Sequence, residues 1–226
     1  MCFDATTSLV TFSISLLCSY SLLQGNKNDQ FFGIGVFLIG LIQLIEFFLW
    51  RNQTCGLVNH LLSLSIIVVL YLQCVIMCMV YYTLYPVRVV SSQIITLYSI
   101  LYTCFTAYLL YVLNQAKLCS RPKGSCRLAW APYTYLSERH PVLLWIHILF
   151  YFIPFFIFVI ETMTYHLDDV LRYKIRYACL PVTFMLGVLF AFTKESFTFT
   201  LTHADVFGSL WCFLSVVLGI VGILHI

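Results

Sequence analysis

The sequence predicts an all-α fold, a polytopic bundle of about seven transmembrane helices, and three observations lead there. Hydrophobic residues make up 62% of the 226-residue chain and charged residues only 9%, against about a quarter charged in an ordinary soluble domain. Apolar windows recur at a length suited to crossing a bilayer, which needs about 20 such residues. Short polar breaks separate the windows. A soluble chain this apolar could not cover its own surface, so the lipid bilayer is the expected partner for most of it.

The windows follow in order. Residues 5–26 carry no charge and form the first span, with Asn26, Lys27, Asn28 and Asp29 as the turn after it. Residues 1–6 lack the basic start of a secretory signal, so this run reads as a retained helix. The second span covers 31–50 and holds one charge, Glu46. The third covers 57–82, ahead of Pro86 and Arg88, and the fourth covers 91–113. The fifth, 142–160, contains Pro154, which should kink it because proline lacks a backbone donor. A polar loop at 161–176 precedes a short sixth span at 177–192 and a seventh at 204–224. With no internal repeat, the chain reads as a single domain over 1–226.

The longest loop, 114–141, differs from the rest. It carries Lys117, Arg121, Lys123, Arg127 and Arg139, and its middle holds Trp130, Tyr133 and Tyr135. Basic and aromatic residues together suit an anionic headgroup layer, so part of this loop is expected on the membrane surface. Elsewhere charge is sparse. A formal +3 with no basic stripe excludes nucleic acid as a natural partner.

Seven spans place the N-terminus on one face with the loops near 51–56, 114–141 and 193–203, here called the N-face. Its loops carry seven basic residues, Arg51, Lys117, Arg121, Lys123, Arg127, Arg139 and Lys194. The other face carries five, Lys27, Arg88, Arg172, Lys174 and Arg176. The positive-inside rule then predicts a cytoplasmic N-face. The sequon Asn52-Gln53-Thr54 sits two residues past the second span, too near the membrane to decide orientation. Of the ten cysteines, Cys18, Cys74, Cys78, Cys104, Cys179 and Cys212 lie in apolar runs and read as small hydrophobes. Cys55, Cys119 and Cys126 lie in loops. A Cys119–Cys126 disulfide is one pairing their spacing allows.

Polar residues inside spans are costly and mark function by default. Here they gather toward the N-face. Glu46 shares a helix face with Gln43 and Trp50, three and four residues away. His60 and Ser63 open the third span, and His140 and His147 stand two turns apart on the fifth. His203 and Asp205 open the seventh, followed by Ser209 and Cys212, and Cys2 and Asp4 precede the first. Histidine, carboxylate and thiolate form a set that zinc accepts, with His147, His203 and Asp205 as candidate ligands. Glu46, His147 and Cys2 are the candidate catalytic groups, since a carboxyl beside imidazoles serves as acid and base. The plainer readings are that Glu46 pairs with a basic residue or hydrogen-bonds to Gln43, that each histidine packs at the interface, and that Trp50, Trp145 and Trp211 form an aromatic belt. There is no HExxH or CxxC pattern.

Three segments carry a resemblance: Met1-Cys2-Phe3-Asp4, Gln43-Leu44-Ile45-Glu46-Phe47-Phe48-Leu49-Trp50, and Ser209-Leu210-Trp211-Cys212-Phe213. Together they resemble an uncharacterised family of small multi-helix membrane proteins from bacteria and large DNA viruses. Asp4 stands where that family usually has serine, and Phe47 where a glycine often follows the glutamate. The resemblance implies membership and a set of motif residues, Cys2, Gln43, Glu46, Trp50, Ser209, Trp211 and Cys212. It implies no particular reaction.

Two functional readings follow. One is a membrane-embedded hydrolase or transferase, metal-assisted or not, in which loss of Met1 would leave Cys2 as an N-terminal nucleophile or ligand. The other is a proton or ion pathway lined by Glu46 and the histidines. A receptor-like scaffold without chemistry is the third alternative. A retinal protein is disfavoured, because the seventh span has no lysine for a Schiff base.

Overall fold

The structure, a computed structural model, describes residues 4–85, 90–123, 127–161 and 220. The sixth and seventh predicted spans lie outside the described residues. Helix accounts for 83% of what is described, in six helices. Four are long and apolar enough to cross a membrane: α1 (Ala5–Leu23), α2 (Lys27–Arg51), α3 (Leu57–Leu84) and α4 (Ser92–Asn114). A two-stranded hairpin follows, β1 (Arg121–Lys123) and β2 (Arg127–Ala129), and then a short α5 (Ala131–Arg139) and α6 (Pro141–Glu161).

The first five predicted spans are therefore helices at the expected places. Their ends follow from local chemistry. Asp4 caps α1: its carboxylate accepts the Thr7 N–H at 2.8 Å, which holds this exposed carboxyl below the usual range. Asp4 is thus a helix cap and not a member of a polar site. The turn expected at 26–29 is instead the first turn of α2. Asn26 accepts the Asn28 and Asp29 N–H groups at 3.0 and 3.1 Å, and Asp29 accepts the Asn26 N–H at 3.3 Å. This capping box starts the helix four residues before its apolar run.

α1 has a polarity reversed from that of a soluble helix. Its buried face is made of Ser8, Thr11, Ser15 and Ser19 with Cys18 and Leu22, while Val10, Leu16, Leu17 and Tyr20 are exposed. The small buried residues let α2 approach closely. A Cβ at Gly33 would come within 2.9 Å of the Leu22 Cβ, and one at Gly40 would collide with the Ser15 side chain. The hydroxyls in this seam are satisfied along their own helix, Thr11 donating to Thr7 O and Ser15 to Phe12 O, both at 2.7 Å.

Side chains in the middle of α2, α3, α4 and α6 lock the bundle. Gln73 donates to Leu38 O at 2.9 Å and accepts the Tyr151 hydroxyl at 2.6 Å. The α6 helix runs through Pro154, which cannot supply an N–H to the Phe150 carbonyl four residues earlier. The Tyr98 hydroxyl of α4 donates to that carbonyl at 2.8 Å. A neighbouring helix thus meets the need that the proline creates.

Residues 118–136 depart from expectation. Much of this stretch is tucked against the bundle, with Leu118, Ser120, Leu128, Trp130, Tyr133 and Leu136 all buried. Trp130 and Tyr133 were expected among lipid headgroups; protein covers them, because each finds partners inside. Arg121, Glu138 and Arg139 remain exposed.

The glycines of α2 provide a test. Alanine is the better helix former by up to about 1 kcal/mol. At Gly35 a Cβ would meet only the Met77 side chain at 3.5 Å, an ordinary contact. Gly35→Ala should therefore hold or raise the thermal stability of the purified protein. Gly40→Ala should lower it, since overpacking costs about 1–3 kcal/mol. Equal effects at the two sites would show that α1 and α2 do not cross at Ser15.

Candidate functional site at the N-face

Two of the loops expected on one face, those after α2 and after α4, meet there, and the loop at 193–203 lies outside the described residues. Cys55, between α2 and α3, is disulfide-bonded to Cys119, beyond α4, with Cα atoms 5.2 Å apart. Cys119 therefore pairs with Cys55 and not with Cys126, a residue outside the described ones. Beside the bond, Asn59 of α3 grips the incoming strand. Its Oδ1 accepts the Ser120 N–H at 2.8 Å, and its Nδ2 donates to Ser120 O at 3.0 Å and to Asn52 O at 2.7 Å. The Ser120 hydroxyl meets Ser63 at 2.8 Å and accepts the first amide of α5, Ala131 N–H, at 3.0 Å. All of Ser120's polar groups are used, which fixes where the following chain must go.

That chain delivers Trp130 to Glu46. The indole N–H donates to Glu46 Oε1 at 2.8 Å, and both residues are almost wholly buried, at 1% and 2% exposure. Glu46 stands five residues from the end of α2, about 7 Å deep at 1.5 Å per residue. Gln43, one turn deeper, is buried on the same face, and Trp50 is half-buried. Glu46 is thus a partnered group, and an indole, not one of the partners expected for it, bonds to its Oε1.

From Trp130 a line of rings leads to His147. Trp130 and Tyr133 pack edge to face with centroids 5.6 Å apart, and Tyr133 meets the His147 ring in the same manner at 5.8 Å. On the far side Tyr102 of α4 lies 6.2 Å from His147. His147 is fully buried, and neither ring nitrogen has a hydrogen-bond partner among the described residues. Gln43 Nε2, Tyr102 Oη and Thr106 Oγ1 are also buried without a partner among the described residues. Five bare polar atoms on α2, α4 and α6 therefore accompany the Glu46–Trp130 pair. Native interiors leave few such atoms, so a concentration of them is a feature to explain.

The other predicted site residues divide cleanly. His140 caps the end of α5 and stacks near Tyr135, away from His147. His60 pairs with Asn114 at 3.3 Å. Ser63 serves the Asn59–Ser120 knot. Trp145 faces outward. Cys2, His203, Asp205, Ser209, Trp211 and Cys212 lie outside the described residues. Among the described residues, no three His, Cys, Asp or Glu side chains gather as a metal ion requires. The sequence reading missed Trp130 as the partner of Glu46, and Tyr102, Thr106, Asn59 and Ser120 altogether. For Trp130 there was a signal, an aromatic stretch inside the longest loop.

No protein-family model, curated protein or solved structure matches the chain.

The Glu46–Trp130 bond can be measured. Trp130→Phe keeps the ring and removes the donor. It should destabilise the protein by about 1–3 kcal/mol, the range for stranding a buried polar group. Combined with Glu46→Leu, the two losses should fall short of their sum by more than about 0.5 kcal/mol. Additive losses in a thermal double-mutant cycle would mean that the two groups do not meet.

Proposed function

We propose that the chain is an integral, multi-pass membrane protein of seven spanning helices, of the family its three motif segments resemble. Its N-face holds a polar site built on Glu46 and His147. We read that site as the acid–base centre of a membrane-embedded hydrolase or transferase. The observation carrying this reading is His147, an imidazole buried in an aromatic wall with both nitrogens bare. Burying a polar group without a partner costs about 1–3 kcal/mol. Folding tolerates that cost where a substrate completes the bonds, and departures from good packing chemistry concentrate at functional sites. An imidazole with two open nitrogens can take a proton at one and give it at the other. Glu46, oriented by the Trp130 N–H, supplies the carboxyl a few side chains away. His203, Asp205 and Cys2 remain the candidates to bring zinc to His147, because a catalytic zinc site takes three protein ligands of these types.

Membrane insertion is supported by four helices of spanning length and by their apolar outward faces. The odd number of spans puts the two termini on opposite sides. Tags at the two ends should therefore differ in accessibility in sealed vesicles, and equal accessibility would remove the odd count.

A second reading has its own observation. Tyr102, whose ring lies 6.2 Å from His147, and Thr106, one helical turn along α4, both hold buried hydroxyls without a partner among the described residues, and hydroxyls so spaced could carry a proton wire. Two measurements separate the readings. Stoichiometric zinc in the purified protein, with hydrolysis lost on His147→Gln, supports the enzyme. No metal, with a proton flux in liposomes lost on His147→Gln, supports the pathway.

The bare imidazole gives a further expectation. His147→Leu removes two unpartnered groups for a side chain of similar volume. It should raise the unfolding temperature by about 2–4 °C for each kcal/mol relieved, while abolishing activity or flux. A large fall in unfolding temperature would show that the histidine is a structural core residue.

A further inference from the structure

The pairing of Cys55 with Cys119 bears on which side of the membrane the N-face occupies, whether or not His147 performs chemistry. The bond joins two loops 64 residues apart in sequence. Cys55 is exposed and Cys119 half-exposed, and both lie beyond the ends of the apolar helices. The free cysteines, Cys18, Cys74, Cys78 and Cys104, all lie within α1, α3 and α4. Oxidation among the described cysteines is thus confined to the one face. An accessible pair facing the cytosol would be kept reduced by the thiol pool, whereas disulfides form and persist in oxidising compartments.

We propose that the N-face lies on the oxidising, non-cytosolic side of the membrane, so that the Glu46–His147 cluster is approached from there. The bond forms by thiol–disulfide exchange with a disulfide-bearing protein oxidant. The two thiols lose two electrons and two protons, and the oxidant leaves as its dithiol. The basic-residue count points the other way, but only by seven to five. One of the seven, Arg121, is committed to the disulfide, its guanidinium donating to Cys55 Sγ at 3.1 and 2.7 Å and to Cys119 Sγ at 3.3 Å. A margin of two charges, one of them tied to the bond itself, weighs less than a covalent bond that the cytosol would reduce. The sequon does not oppose this placement. Asn52 caps α2, its side-chain amide donating to Phe48 O at 2.8 Å, which places it against the helix end.

The test uses the full chain inserted in the inner membrane of bacterial spheroplasts, with unmodified cysteines. A membrane-impermeant phosphine reductant is added outside, then an impermeant maleimide, and labelling at Cys55 and Cys119 is read by peptide mass spectrometry. Labelling should rise from background to near completion at both positions only when the reductant is present. The Cys55→Ser/Cys119→Ser double variant should lose it. Labelling without reductant would show free thiols and overturn the proposal. So would labelling that appears only after the membrane is permeabilised, which would place this face in the cytosol.

Discussion

The N-face is organised by the reciprocal pair between Asn59 and Ser120. Two hydrogen bonds, at 2.8 and 3.0 Å, join a buried side-chain amide to the backbone of a strand 61 residues away. Non-helical backbone near membrane depth survives only where protein satisfies its polar groups. Asn59 does so for Ser120, and the Ser120 hydroxyl does so for the first amide of α5. With those groups satisfied, the chain can enter the bundle mouth and carry Trp130 to Glu46. The Cys55–Cys119 bond fastens the same junction covalently from outside. Without the pair, the segment would have to leave the bundle, and Glu46 would lose its indole partner.

A second constraint operates deeper. For helices long and apolar enough to cross a membrane, apolar packing alone would be weak at holding them together in lipid, and close contact and hydrogen bonds supply what it lacks. α1 and α2 use the first device, through Ser15, Ser19, Gly33 and Gly40. α2, α3, α4 and α6 use the second, through Gln73, Tyr151 and Tyr98. The contrast between these two regions and the His147 neighbourhood is informative. In the former Thr11, Ser15, Gln73, Tyr98 and Tyr151 are all bonded. At His147 and the neighbouring Tyr102, three buried polar atoms have no partner among the described residues. The same chain that satisfies a proline-orphaned carbonyl from a neighbouring helix leaves an imidazole bare.

A rigid frame holds Glu46 by the Trp130 N–H and surrounds His147 with Tyr102 and Tyr133. Their ring centroids lie 6.2 and 5.8 Å from that of the imidazole.

The sequence by itself determined the helices and where they lie. Each apolar window reflects the transfer free energy of its own residues, a local quantity, so the first five spans could be placed without knowing their neighbours. It also singled out Glu46 and His147, both of which are buried, since isolated polar residues in apolar runs are costly whatever surrounds them. Pairing was beyond its reach. The choice of Cys55 over Cys126 for Cys119, of Trp130 for Glu46 across 84 residues, and of Ser120 for Asn59 depends on which loops meet when helices pack. No local periodicity encodes that meeting. The aromatic residues of the long loop show why. Tryptophan serves equally well at a headgroup layer or as a buried donor to a carboxyl, and only the packed bundle, with an acceptor in reach and Asn59 holding the strand, decided for the second.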